Sequence, residues 1–449
     1  MNNVRKLKIY QLRNLEEIPQ LKVLSKEELF NIKVVSNVLP FRTNNYVVEE
    51  LIDWSKVPDD PIFQLTFMQK DMLSNSQFSR MADAISRNLS TEEIKKVADT
   101  IRKELNPHPA GQLTANVPFF DDEPVKGIQH KYKETALVFP TGGQTCHAYC
   151  TFCFRWAQFV GMDDLKFATD ESKRFQEYIK EHKEITDVLF TGGDPMVMSY
   201  AKLKAYLEPL LSPEFDHIKN IRIGTKSLSY WPYRYLTDKD SDDILMLFDK
   251  IMSSGKHLAI MAHFSHYIEL ETEAVKMAIR RLRNVGVKIR TQSPVIRHVN
   301  DSAEVWTKMW QEQVNLGLIP YYMFVERNTG AKKYFEIPIA EVFEIYKEAF
   351  KNVSGLSRTA RGPVMSATPG KVSVEGVAEI NNEKVFVLNL LQARNSDWVK
   401  TPFFASYDPK ATWYTDLIPA FGQDEFFFDE ELSDFLSEKE EKFIENYLR

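Results

Sequence analysis

The sequence predicts an α/β protein: a partial (β/α)6 TIM-like barrel, preceded by a mostly helical N-terminal region and followed by an α+β C-terminal extension. Three observations predict it. From residue 134 onward, six short apolar or β-branched runs alternate with amphipathic stretches, the pattern of parallel strands joined by crossover helices. The runs end in polar or Gly-rich residues, where parallel sheets place their chemistry. At 449 residues the chain is long enough for one large catalytic domain with additions at both ends.

The first region, residues 1–125, reads as helices with irregular joints. SKEELFNIKVVSNVL (25–39) and LSTEEIKKVADTIRKEL (89–105) have apolar residues at helical spacing, and Ser90 opens an S-T-E-E start signal. Pro107, Pro109, Pro118 and Pro124 mark a connector. The barrel is expected over 126–370. Its strand runs are TALVFPT (135–141), TDVLFTGG (186–193), IRIGTKS (221–227), LAIMAHF (258–264), VKIRTQSPV (287–295) and IPYYMFVE (319–326). Helical segments such as TEAVKMAIRRLRNVG (272–286) lie between them. Six units suit an open barrel better than the closed eight-unit form. The extension, 371–449, carries strand-like KVSVEGVAEI and KVFVLNLL, then aromatic segments and an acidic helical tail.

A hydrophobic content of 43%, with 27% charged residues, is that of a soluble globular enzyme. The net charge of -6 carries no electrostatic footprint for nucleic acid. No run of about 18 apolar residues is present and the start lacks an apolar signal segment, so no membrane partner and a cytoplasmic location are expected. Only three cysteines occur, all within eight positions, which argues against disulfides and for a reducing compartment.

Those cysteines stand in PTGGQTCHAYCTFCFRW as Cys146, Cys150 and Cys153, on the loop leaving the first barrel strand. Thiolates are the preferred ligands of iron–sulfur clusters, and the close Cys-x-x-x-Cys-x-x-Cys spacing lets one loop wrap a cluster. With three irons held by protein, the fourth keeps an open position for a small molecule. Buried free thiols, or zinc held with His147 as fourth ligand, are the alternative readings. Neither explains the gathering of every cysteine into one loop.

The cysteine spacing, the βα units that follow and the phrase TGGDP (191–195) resemble the radical S-adenosylmethionine superfamily. The resemblance implies a [4Fe–4S] cluster on Cys146, Cys150 and Cys153 that reductively cleaves S-adenosylmethionine. It also implies a cofactor contact at Gly192, Gly193 and Asp194, where glycine lets the backbone approach a ligand and the carboxylate accepts from an ammonium group. Over residues 124–372 the chain is similar to the lysine 2,3-aminomutase family. The matching phrases, in order, are PVKGIQHKY, CHAYCTFCFR, DVLFTGGDP, IRIGTKS, AHFSH, RTQSPVIRHVND and PYYMFVE followed by YFEIP.

That similarity implies an aminomutase-like isomerase using pyridoxal phosphate beside the adenosyl radical. A reductant such as flavodoxin or ferredoxin, a small-molecule substrate and a homo-oligomer follow from it. Arg155 matches the arginine that pairs with the substrate carboxylate, a task suited to bidentate guanidinium bonding. His263 and Gln292 match strand-end positions facing S-adenosylmethionine. Lys371, in Ala367-Thr368-Pro369-Gly370-Lys371, stands for the pyridoxal-carrying lysine on a shortened loop. Lys131 and Tyr132 fall in the phosphate-binding phrase, whose second basic residue is here Thr135. Where lysine-specific members recognise the distal ammonium with two aspartates, this chain has Arg327 and Ala367. Arg327 would repel an ammonium and attract a carboxylate, so the expected substrate is an anionic amino acid, not free lysine. A radical enzyme without pyridoxal phosphate, acting by epimerisation, elimination or another rearrangement, is the alternative within the class. A non-catalytic zinc-binding scaffold is the alternative outside it.

Overall fold

The computed structural model describes residues 5–111, 113–161, 167–169 and 172–448. In the N-terminal region, α1 (Lys26–Val38), α2 (Asn75–Ser86) and α3 (Thr91–Glu104) each begin at a serine with a capping box, formed by Ser25 with Glu28, Ser74 with Gln77 and Ser90 with Glu93. Each box satisfies orphan N–H groups of the first turn, and such a cap contributes about 0.5–2 kcal/mol.

The alternation from residue 134 onward builds an eleven-stranded sheet whose strands lie side by side in chain order. They are β1 (Ile128–Tyr132), β2 (Thr135–Val138), β3 (Asp187–Phe190), β4 (Asn220–Thr225), β5 (His257–His263), β6 (Lys288–Val295), β7 (Ile319–Val325), β8 (Arg361–Ser366), β9 (Gly370–Ile380), β10 (Glu383–Ala393) and β11 (Phe403–Ser406). From β2 to β8 all neighbours are parallel. β1 pairs antiparallel with β2, and β9 to β11 continue antiparallel from β8.

The crossovers carry α4 (Ser172–Glu181), α5 (Tyr200–Leu207), α6 (Ser241–Ser253), α7 (Glu273–Asn284), α8 (Ala303–Asn315) and α9 (Ile339–Lys351). In α7 the buried residues are Ala274, Val275, Ala278, Ile279 and Leu282, one stripe at helical spacing. It packs against β6, and on the neighbouring β4 and β5 Ile221, Ile223, Leu258 and Ile260 are inaccessible. Fully burying each such aliphatic side chain contributes about 1.5–3 kcal/mol. The sheet is strongly curved. The Lys371 amine on β9 lies 5.6 Å from the ring centre of Tyr132 on β1.

All six expected strands are present, and the structure adds a seventh parallel strand, β8. Its sequence, Arg361-Gly362-Pro363-Val364-Met365-Ser366, contains two residues that ordinarily interrupt strands. They are tolerated because the β7–β8 register is irregular between Tyr322 and Phe324, so the ladder is broken where Pro363 lacks an N–H. The strand-like pieces of the tail add to this same sheet. The cap of α8 is Ser302, whose side chain accepts from Val305 N. Asn300 instead bonds Ile296 N, Ser265 O and Pro294 O. Among the described residues no helix is long and apolar enough to cross a membrane.

Candidate active site

The cysteine loop leaves β2 and is held from outside by the N-terminal region. Tyr149 N donates to Arg42 O at 2.8 Å, Thr151 N to Leu65 O at 3.0 Å, and Thr151 Oγ1 to Gln64 O at 2.7 Å. Asn44, fully buried, donates from one amide nitrogen to His147 O at 3.1 Å and to Tyr230 O at 2.9 Å. The loop course is thus fixed by backbone bonds rather than by the thiols. Burial, then Asp194 and the other two thiols, push Cys146 well above its ordinary ionisation. Cys153 is pushed up to about 12 by burial and then by Cys150. Three mutually repelling thiols would become thiolates only against a strong cationic partner, which iron provides.

Among the described residues no three His, Cys, Asp or Glu side chains are grouped to hold one metal ion. In a four-iron cluster the cysteines bind separate irons, so its ligands need no common centre. His147 is buried with Nδ1 unpartnered. Burial, Arg234 and Arg42 depress it to about 3.

TGGDP follows β3. Gly192 has a φ of +145°, and a Cβ there would meet Gln144 Nε2 at 2.3 Å. A Cβ on Gly193 would meet Thr145 O at 2.5 Å. The close approach that glycine permits is therefore to the protein's own chain, immediately ahead of Cys146. Asp194 N donates to Thr145 O at 2.7 Å. The buried Asp194 carboxylate accepts from Thr225 Oγ1 at 2.6 Å, Met196 N at 2.9 Å and Lys226 N at 3.0 Å. Burial nevertheless raises it to about 6. With its acceptors engaged, Asp194 ties the ends of β3 and β4 to the cysteine loop.

His263 and Gln292 meet across the ends of β5 and β6, where they are register partners. The Gln292 amide lies 2.8 Å from His263 Nε2. Burial, then Lys226, hold His263 neutral, near 3. A neutral ring accepting at Nε2 carries its proton on Nδ1.

Among the described residues two arginines, Arg155 buried and Arg327 half-buried beside the buried Glu326, form no ion pair and keep unpartnered nitrogens. Arg155 is 6% exposed, its guanidinium carbon 4.0 Å from the ring centre of Phe139, and neither Nε nor Nη2 has a partner. Arg327 lies 4.6 Å over the ring of Phe154; Nη2 donates to Ser366 O at 3.0 Å, and Nη1 is unpartnered. Burial, offset by Cys153, and then the Arg327 charge lower Arg155 to about 9, while burial, offset by Tyr132 and Glu326, lowers Arg327 to about 10.

Lys371 lies in β9 itself, since residues 367–369 make the turn. Its amine donates to Gln392 Oε1 at 2.7 Å and sits 4.6 Å from the Tyr322 ring. Burial, then Arg222 and Arg361, lower it to about 7. Nearby Lys131 bonds Ala367 O. Burial and the charges of Arg394, Arg327 and Lys371 push it well below its ordinary value. The Tyr132 hydroxyl is buried and unpartnered. The structure thus gathers the cysteines, Arg155 and Arg327 in one region, and Lys131, Tyr132, Lys371 and Arg327 in an adjoining one.

No family model matches the chain. It is 32% identical over 418 residues to a protein of Aquifex aeolicus provisionally named L-lysine 2,3-aminomutase, covering 92% of this chain and 95% of that one. The chain belongs to the lysine 2,3-aminomutase-like family of radical S-adenosylmethionine enzymes. It is 28% identical over 273 residues to L-lysine 2,3-aminomutase of Acetoanaerobium sticklandii, and 28% over 236 residues to glutamate 2,3-aminomutase of Clostridioides difficile. The match covers 60% and 52% of this chain, and 62% and 52% of those relatives. Radical S-adenosylmethionine enzymes carry a [4Fe–4S] cluster and S-adenosylmethionine, and the thiol set of this aminomutase-like chain fits that cluster.

Sequence reading passed over several residues of the site. Asn44 lies more than 100 residues before the cysteines, and Tyr230 is one of 18 tyrosines. Arg394 follows β10, where its Nε donates to Thr368 O at 2.8 Å and its Nη2 to Asn116 Oδ1 at 2.6 Å. No spacing rule singles out any of them. Arg394 had one available signal, the loss of a basic residue at Thr135, which calls for a replacement from elsewhere.

Proposed function

We propose that this enzyme catalyses a 1,2-amino shift on an amino acid bearing a second carboxylate, inside an open βα barrel spanning about residues 126–370. The observation that carries the reading is the pair Arg155, buried with Nε and Nη2 unpartnered, and Arg327, half-buried with Nη1 unpartnered. An uncompensated buried charge costs several kcal/mol, and such groups are kept where a ligand completes them. Two guanidiniums answer to two carboxylates. Arg327 and Ala367 also replace both residues by which lysine-specific relatives would hold an ammonium. One relative carries the name of an acidic amino acid, glutamate.

Cys146, Cys150 and Cys153 would hold the cluster, with His263 and Gln292 presenting polar groups to S-adenosylmethionine and Asp194 bracing Gly192 and Gly193 behind the cysteine loop. Lys371 would carry pyridoxal phosphate, with Lys131, Tyr132 and Arg394 facing its phosphate. A buried cation surrounded by cations is relieved by a dianion, and Arg394 compensates for Thr135. When bound, the cluster and S-adenosylmethionine supply a carbon radical able to take hydrogen from an unactivated C–H bond, while pyridoxal phosphate holds the migrating nitrogen. The residues' share is to clamp both carboxylates, fix one C–H bond toward the radical source and exclude water. The amino group moves to the neighbouring carbon and a hydrogen takes its former place, so composition is unchanged. A low-potential donor such as flavodoxin or ferredoxin would supply the electron.

Anaerobic turnover of the reconstituted enzyme with a panel of amino acids tests this. Dicarboxylic amino acids are expected to be isomerised with formation of 5′-deoxyadenosine in reductant. Turnover of lysine with none of the dicarboxylic acids would overturn the reading. Lys371 gives a separate pH test. An amine with its midpoint lowered to about 7 is half unprotonated there, whereas an ordinary lysine is protonated. The rate of pyridoxal phosphate uptake, followed by visible absorbance, should rise with pH through about 7 and level above it, and Lys371→Ala should show no uptake. A rate still climbing in proportion to hydroxide at pH 9 would show an ordinary lysine. Absence of absorbance in the wild-type protein would favour chemistry without pyridoxal phosphate.

A further inference from the structure

We propose that Tyr230 sets the reduction potential of the cluster by donating its phenol hydrogen to Sγ of Cys150, with the Lys226–Glu269 ion pair supporting it from behind. This rests on the cluster assignment proposed above. Tyr230 is 1% exposed and closes the short helix Ser227–Tyr230 that follows β4. Its hydroxyl lies 3.5 Å from Cys150 Sγ, within range of a sulfur acceptor. Its carbonyl and that of His147 share the Asn44 amide, so the tyrosine and the cysteine loop are tied together at a second point.

Behind the ring, the Lys226 amine is 4.6 Å from the ring centre and donates to Glu269 Oε1 at 2.6 Å. Glu269 is wholly buried and also accepts from Ser229 Oγ and from the backbone N–H groups of Ser265 and His266. Glu269 is therefore held by three donors besides Lys226.

A cluster gains negative charge on reduction, and part of it resides on the sulfurs. A donor to a ligating sulfur stabilises the reduced form more than the oxidised form and raises the potential. The Lys226 amine, 4.6 Å from the Tyr230 ring, adds positive charge on the same side, and Glu269, bonded to it, offsets that charge. Opposite signs follow for the two partners. Loss of the Tyr230 hydroxyl should make the cluster harder to reduce, and neutralising Glu269 should make it easier.

The test is an anaerobic redox titration of the reconstituted holoprotein, monitored by electron paramagnetic resonance without S-adenosylmethionine. Tyr230→Phe is expected to lower the ratio of reduced to oxidised cluster at fixed potential about tenfold, a 59 mV shift for one electron. Glu269→Gln is expected to shift the midpoint upward. An unchanged midpoint in Tyr230→Phe at equal iron and sulfide content overturns the proposal. If Tyr230→Phe fails to retain the cluster, 3,5-difluorotyrosine at position 230 keeps the ring and hydroxyl while strengthening the donor. A higher midpoint then supports the proposal, and an unchanged one overturns it. Wild-type protein that takes up no cluster would instead overturn the cluster assignment beneath it, so the two failures are distinguishable.

Discussion

Cys153→Ala is expected to abolish reductive formation of 5′-deoxyadenosine, with iron content falling well below that of the wild-type protein. The chain has three cysteines in all, so no fourth thiol can replace a lost ligand. The same substitution should leave the ligand-free fold nearly intact. The loop is held by Tyr149, Thr151 and Asn44 through bonds that do not involve the thiols. A shift of about 1 kcal/mol or less in unfolding free energy is expected for losing one partly buried thiol. Iron analysis, the nucleoside assay and chemical unfolding together decide the matter. A variant with full iron content and undiminished 5′-deoxyadenosine formation would remove Cys153 from the ligand set.

Arg155→Met is expected to lower kcat/KM for a dicarboxylic amino acid by roughly 10²- to 10³-fold, the effect of truncating one partner of a buried hydrogen-bonded charge pair. Its effect on the ligand-free protein should have the opposite sign. Arg155 is enclosed, stacked on Phe139, and has Nε and Nη2 without partners. An apolar side chain of similar length removes that uncompensated charge, so unfolding should require about 1–3 kcal/mol more. A purely structural arginine would show the reverse, a destabilised fold with parallel loss of activity. Arg327→Asp extends the argument to specificity. Reversing the charge should shift preference from a distal carboxylate toward a distal ammonium, measured as the ratio of kcat/KM values for an acidic and a basic amino acid. An unchanged ratio would place Arg327 outside substrate recognition.

The legible features share a common physical cause: each is written in residues close together along the chain. Cys146, Cys150 and Cys153 are legible as a candidate cluster loop because their spacing alone lets one segment present three thiols. The six strand runs and the serine start of the helix at Ser90 follow from side-chain periodicity and local backbone bonding. β8 escaped because Gly362 and Pro363 break the local pattern, while the partner that tolerates them, β7, lies about 40 residues earlier. Gly192 and Gly193 were legible as a close approach. What they approach, Gln144 and Thr145, was not.

The sequence by itself determined the residue types and their spacing: an α/β enzyme with three cysteines in one loop, a lysine at 371 and arginines at 155 and 327. Only the tertiary structure decided the state of those groups. It left Nε and Nη2 of Arg155 and Nη1 of Arg327 unpartnered, lowered Lys371 by burying it near Arg222 and Arg361, and set Tyr230 against Cys150. Residue type is inherited along the chain, but desolvation and pairing depend on what is brought close through space. Strands eight places apart in the sheet, and an N-terminal asparagine far from the cysteines in sequence, supply those surroundings.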